Sequence, residues 1–128
     1  MPLEIELSAF IPRPPQEVYD AWLDSKGHTK MTGAKAKVSA KVGGLFEAWD
    51  GYISGRNLEL EPGKRILQAW RTAEFADSEG DSQIEILFEA AKGGTKLTLR
   101  HTKLPAHGET YRQGWIDSYF EPMKAYFD

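Results

Sequence analysis

Cysteine is absent from the 128 residues, which removes disulfides, thiolate metal sites and thiol nucleophiles together. Long apolar runs are missing too. None exceeds three residues, as in Ile86-Leu87-Phe88, so no segment reads as a membrane span. The amino-terminal Met-Pro-Leu-Glu-Ile-Glu lacks the basic start and the apolar stretch of a signal peptide, and the cytoplasm is the expected compartment. There is no excess of positive charge. Sixteen Lys and Arg face 19 Asp and Glu, a formal net charge of -3, which argues against general binding to nucleic acid. Internal repeats, low-complexity tracts and linkers do not occur. What is present is 41% apolar residues and 12% aromatic ones, enough for one core and too aromatic for a disordered chain. Residues 1–128 are expected to form a single soluble domain.

Leu3, Ile5, Leu7, Ala9 and Ile11 alternate with Glu4, Glu6, Ser8 and Phe10, the period of a strand with one buried face. Pro14-Pro15 then opens a helix with Val18, Tyr19, Trp22 and Leu23 on one side. Asp24-Ser25 supplies cap chemistry for a second short helix, which Gly33 ends. From Ala34 to Val42 the period of two returns in its clearest form, with Ala34, Ala36, Val38, Ala40 and Val42 on the face expected to be buried. Further strands follow at Leu45 to Trp49, Tyr52 to Leu60, Ile66 to Thr72, Ile84 to Phe88 and Leu97 to His101. Turns at Asp50-Gly51, Glu61 to Lys64 and Lys92 to Thr95 join them, and an acidic connection runs from Glu74 to Asp81. Trp115, Ile116, Tyr119, Phe120, Met123 and Phe127 form a broad apolar stripe on a final helix expected from about Glu109 to Phe127. Gly114 is expected to let that helix approach the sheet, and Pro122 to kink it around Ser118 to Pro122. About seven antiparallel strands, two short helices after the first strand and a long last helix make an α+β fold; strand and helix do not alternate, which excludes a doubly wound parallel sheet.

A set of residues spread over the chain resembles one known pattern. It comprises Val42-Gly43-Gly44-x-Phe46, Asp50-Gly51-x-x-Ser54-Gly55, Leu60-x-Pro62, Ile66, Trp70-Arg71, Thr95-x-Leu97 and Arg112-Gln113-Gly114-Trp115 with Tyr119-Phe120 behind it. The string is similar to the carboxy-terminal domain of the activator of the heat-shock-protein ATPase and its stand-alone homologues, within the START-like helix-grip superfamily. The resemblance implies a curved antiparallel sheet wrapped around the last helix, with an apolar cavity between them. It implies little about activity, because that fold carries lipids, sterols and polyketides and in places catalyses cyclisation or dehydration. The separate amino-terminal domain of the eukaryotic activator has no counterpart in these residues, so chaperone activation is not carried over. Met31 stands where relatives usually have an aromatic residue.

Candidate chemistry is sparse. His101 shares strand parity with Leu97 and Leu99 and is expected to point inward, satisfied by backbone or by Tyr119, or touching a ligand, or carrying a proton. His28, His101 and His107 lack metal-ligand spacing, so no metal and no cofactor are expected. Gly51-Tyr52-Ile53-Ser54-Gly55 has its serine one place too late for a nucleophile elbow and reads as a hairpin. Gly63-Lys64-Arg65 lacks the rest of a phosphate loop. Trp49, Trp70, Phe88, Trp115, Tyr119 and Met123, with the inward Gln68 and His101, are the candidate ligand-binding residues. For any one of them taken alone, filling the core is the simpler reading, and Gln68 must find a partner. Five lysines from Lys26 to Lys41 with no acid among them, set against the acidic 74–81 segment, are either a docking dipole or ordinary solvated surface.

The expected function is therefore a cytoplasmic binding protein for an apolar or amphipathic small molecule. The first alternative is an interaction module that serves a heat-shock chaperone or another client. The second is a cyclase- or dehydratase-like enzyme using His101, disfavoured because no acid and base pair up, so no catalytic residue is assigned.

Overall fold

The computed structural model describes residues 3–128; Met1, Pro2 and the side chain of Leu3, which entered the amino-terminal readings above, lie outside the described residues. The elements follow the expected order. They are β1 (Leu3–Ile11), α1 (Pro15–Trp22), α2 (Ser25–Thr32), β2 (Lys37–Val38), β3 (Leu45–Ala48), β4 (Ile53–Glu61), β5 (Arg65–Thr72), β6 (Ser82–Ala91) and β7 (Gly94–Leu104). A 3-10 turn (Ala106–Thr110) then leads into α3 (Tyr111–Trp115), a π-helical segment (Ile116–Phe120) and α4 (Glu121–Phe127). All strand pairs are antiparallel, in the order β1-β7-β6-β5-β4-β3-β2. With the last helix laid across one face of this sheet, the architecture is the helix-grip fold.

Local chemistry sets the helix boundaries. Pro15 begins α1, where its missing N–H costs nothing, and Val18, Tyr19 and Trp22 bury one face. The Asp24 carboxylate caps α2 by accepting from the Gly27 N–H at 2.8 Å, and Gly33 ends it at φ 82°.

The clearest strand pattern in the sequence is the one the fold uses least. Of the nine residues from Ala34 to Val42, two form β2, and Val42 is 64% exposed. Only Ala36 of the expected buried face is buried. Side chains satisfy this backbone instead of a ladder. Thr29 Oγ1 accepts from the Ala36 N–H and Ser25 Oγ from the Val38 N–H. Asn57 Nδ2 donates to the carbonyls of Ser39 and Lys41. Asn57 is fully buried beside a register shift in β4, and it fastens this segment to the sheet.

Residues 111–127 run as one continuous helix, with helical φ and ψ at each junction. The irregularity expected near Pro122 takes the form of the π-helical segment, in which the Glu121 N–H reaches the Ile116 carbonyl five residues back. The widened turn accommodates Pro122, whose ring would press on the carbonyl four residues earlier in a regular helix. Gly114 does not serve close approach: a Cβ added there would meet nothing within 4 Å. The helix is held by its aromatic stripe, with Trp115, Tyr119, Phe120, Met123 and Phe127 all buried. Full burial of such a side chain contributes roughly 1.5–3 kcal/mol.

Candidate functional site

The space that Gly114 leaves open belongs to a cavity of about 260 Å³ between the β3–β4 hairpin, β5 and the last helix. The hairpin contributes Trp49 and Tyr52, β4 gives Ile53 and β5 gives Trp70. The helix contributes Tyr111, Gly114 and Trp115, and the π-helical segment Ser118 and Tyr119. Six of these nine residues are aromatic and none is charged. The rings form a connected wall, Trp70 to Trp115 at 5.5 Å between centroids and Trp115 to Tyr119 at 4.8 Å.

Four of the eight candidates, Trp49, Trp70, Trp115 and Tyr119, border this cavity. The other four lie elsewhere in the core. Phe88 packs edge-on against Tyr19 at 5.6 Å, and Met123 is fully buried under the helix. Gln68 finds the partner it needed in Asn57, donating through Nε2 to Oδ1 at 2.8 Å, while its own Oε1 has no partner among the described residues.

His101 is buried as expected, but its partner is not Tyr119. The Trp115 indole N–H donates to Nδ1 at 3.0 Å, so the ring proton sits on Nε2, which faces Ser82 Oγ at 2.7 Å. Ser82 in turn donates to the Trp70 carbonyl. Both ring nitrogens are thus committed inside the core, and burial pushes the pKa down to about 3. That placement leaves no free nitrogen for the ligand contact or proton transfer considered above.

Tyr119 instead meets His28, weighed above only as a metal ligand. His28 Nδ1 stands 2.9 Å from the Trp22 carbonyl, and Nε2 stands 2.8 Å from the Tyr119 hydroxyl. Burial holds the His28 pKa below its ordinary value and raises that of Tyr119. The signal for His28 was the i, i+3, i+4 spacing of His28, Met31 and Thr32, which make the buried face of α2. Tyr111 was passed over, although it lies one turn before Trp115 on the same stripe. Its hydroxyl meets Thr72 Oγ1 at 2.6 Å and ties the start of the helix to β5. Phe75, inside the acidic connection, is buried against Trp70 and anchors that segment.

The five lysines from Lys26 to Lys41 are all exposed and make no ion pair among the described residues. The acidic connection is held from neighbouring elements, where Arg71 pairs with Asp81 and His107 Nε2 stands 3.0 Å from the Glu79 carboxylate. Among the described residues no helix is long and apolar enough to cross a membrane.

The fold defines a class, the helix-grip proteins, whose last helix lies across one face of an antiparallel sheet, and here an aromatic, uncharged cleft opens beside that helix. Residues 12–128 match the family described as Activator of Hsp90 ATPase homolog 1-like protein, and the chain belongs to that family. It is 32% identical over 114 residues to the human activator of 90 kDa heat shock protein ATPase homolog 1, a match covering 88% of this chain and 33% of that protein. The chain thus spans about a third of the length of the curated relatives it matches. Among solved structures, an HSP90 activator from Plasmodium falciparum aligns at a TM-score of 0.87 with 24% identity, over 96% of this chain and 94% of that one. A protein from Chromobacterium violaceum aligns at 0.79 with 29% identity, over 97% and 96%.

Proposed function

We propose that the chain holds an apolar small molecule in the aromatic cavity between the β3–β4 hairpin and the last helix. The observation that carries this reading is the cleft at Gly114, where the helix face beside the buried Trp115 turns onto open space lined by aromatic rings instead of onto the sheet. The cleft opens to solvent on one side, and its largely apolar, aromatic lining suits a small apolar ligand. The π-helical segment places Ser118 and Tyr119 on the same wall, and such segments are frequent at functional sites.

Cavity filling tests the reading. Gly114→Leu puts a side chain into open space, so it should leave the fold intact while abolishing binding. A series of straight-chain alcohols should bind the parent protein about fourfold more tightly per added methylene until the space is full, since each buried methylene is worth about 0.8 kcal/mol. Equal binding to Gly114→Leu and parent, or none to either, would refute it.

A second reading is supported by the relatives' names and by the surface. The human relative is named an activator of the 90 kDa heat shock protein ATPase, and the exposed lysines of residues 26–41 are free to meet an acidic partner. In this reading the chain docks on that chaperone through its basic face and the cavity plays no part.

A further inference from the structure

The cleft is bounded by rings that arrive from three elements. Trp49 and Tyr52 come from the hairpin, Trp70 from β5, and Tyr111, Trp115 and Tyr119 from the last helix. Trp70 is inclined to Tyr111 by 83° at 5.1 Å between centroids and to Trp115 by 39° at 5.5 Å, so the rings surround the space as an angled cage and not as one stack. Ring faces are negative, and the lining holds no cation to oppose them. The phenol hydroxyls are already engaged within the protein: Tyr52 donates to Glu74, Tyr111 meets Thr72 and Tyr119 meets His28.

Negative charge stands beside this cage. Tyr52, 38% exposed at the mouth, is tied to Glu74, the first acid of the 74–81 connection. Glu74 makes no ion pair among the described residues. The field of that connection reaches the lining: burial raises the Tyr111 pKa, and the Glu74 and Glu79 carboxylates raise it further. The neighbouring Arg71 is occupied by Asp81 and by the carbonyls of Ala76 and Glu79. Electron-rich rings and an unpaired carboxylate at one mouth both favour a positive ligand, by independent means.

We propose that the cleft takes a quaternary ammonium group, a trimethylammonium head seated among the rings with its charge toward Glu74. The proposal rests on the reading of the cleft as a ligand site and names the class of ligand. A quaternary ammonium presents an apolar methyl surface and has no N–H, so it needs no acceptor from walls whose phenol hydroxyls are engaged. A primary ammonium has three N–H groups, and apolar rings beside Gly114 would leave them largely unsatisfied. A carboxylate meets the ring faces and Glu74 with the wrong sign. A neutral group of the same shape gains the burial without the cation–π attraction.

Three probes that share a two-carbon alcohol test this by displacement of an apolar fluorescent dye at pH 7. Choline carries trimethylammonium, 3,3-dimethyl-1-butanol its neutral tert-butyl counterpart, and ethanolamine a primary ammonium. Choline should bind about fivefold more tightly than dimethylbutanol, and ethanolamine should be weakest. Tyr52→Leu removes one ring at the exposed mouth and should lower choline affinity more than that of dimethylbutanol. Glu74→Gln, also exposed, should weaken choline about twofold and leave dimethylbutanol unchanged. Dimethylbutanol binding as tightly as choline, ethanolamine matching choline, or a preference unchanged in both variants would overturn the proposal while leaving the cavity reading in place. So would binding of the straight-chain alcohols where neither choline nor dimethylbutanol binds. Failure of all these probes, the alcohols included, would overturn both.

Discussion

The indole N–H of Trp115 donates to Nδ1 of His101 at 3.0 Å and ties the final helix to the last strand through a buried bond. Trp115→Phe keeps most of the packing and leaves Nδ1 unpaired in the core, which should cost about 1–3 kcal/mol. Trp115→Ala removes the packing as well and should cost roughly 3–5 kcal/mol, a major fraction of the stability of a small domain. Lys37→Ala, exposed on β2, should stay within about 0.5 kcal/mol of the parent. Urea titration of the three variants measures the order; a midpoint for Trp115→Ala equal to that of Lys37→Ala would show that the helix does not depend on this contact.

The same burial makes stability depend on pH. In the unfolded chain His101 titrates near 6.5, while in the fold its pKa is about 3. Below pH 6.5 the unfolded state therefore takes up a proton that the fold refuses. The contribution is complete above that pH and is lost as pH falls toward 3, at up to about 1.4 kcal/mol per pH unit. His28, also shifted down by burial, adds a loss of the same sign. Urea midpoints at pH 7.5, 6 and 5 should fall steadily. His101→Asn should start lower at pH 7.5 and show a shallower slope, and a parallel slope would remove His101 from this account.

Gly114 gives a prediction of the opposite sign. Glycine inside a helix costs roughly 0.5–1 kcal/mol relative to alanine, and here an added Cβ meets nothing within 4 Å. Gly114→Ala should therefore raise the thermal midpoint. A lowered midpoint would mean that the helix lies closer to the sheet at this point than the open space shows.

The strands, the two caps and the last helix were legible because each is written in local periodicity or in a cap residue, as at Asp24 and Gly33. The stretch from Ala34 to Val42 misled for a physical reason: period two reports alternation, not a partner. Thr29, Ser25 and Asn57 supplied that backbone's hydrogen bonds from side chains distant in sequence. Half of the candidate site was legible on the same terms. Strand parity and helical spacing placed Trp70, Trp115 and Tyr119 inward, yet neither shows which inward residues border a void. His28 and Asn57 were hidden because their roles depend on Tyr119 and Gln68, pairings that only the tertiary fold creates.

The cavity and the basic surface call for opposite results from one pair of variants. Lys35→Glu with Lys37→Glu reverses two exposed charges that make no ion pair among the described residues, so the double variant should fold normally. If the chain docks on an acidic face of the 90 kDa heat shock protein, this change should weaken binding to the purified chaperone at least tenfold. The affinity of the parent should also fall as salt rises, because exposed charges are screened within about 8 Å at physiological ionic strength. Gly114→Leu should leave that binding untouched. If the cavity is the working site, Gly114→Leu should abolish dye binding and the double charge reversal should leave it unchanged. Chaperone binding lost in Gly114→Leu but kept in the charge reversal would show instead that the chaperone reads the cavity wall, which would refute the basic face as the docking surface.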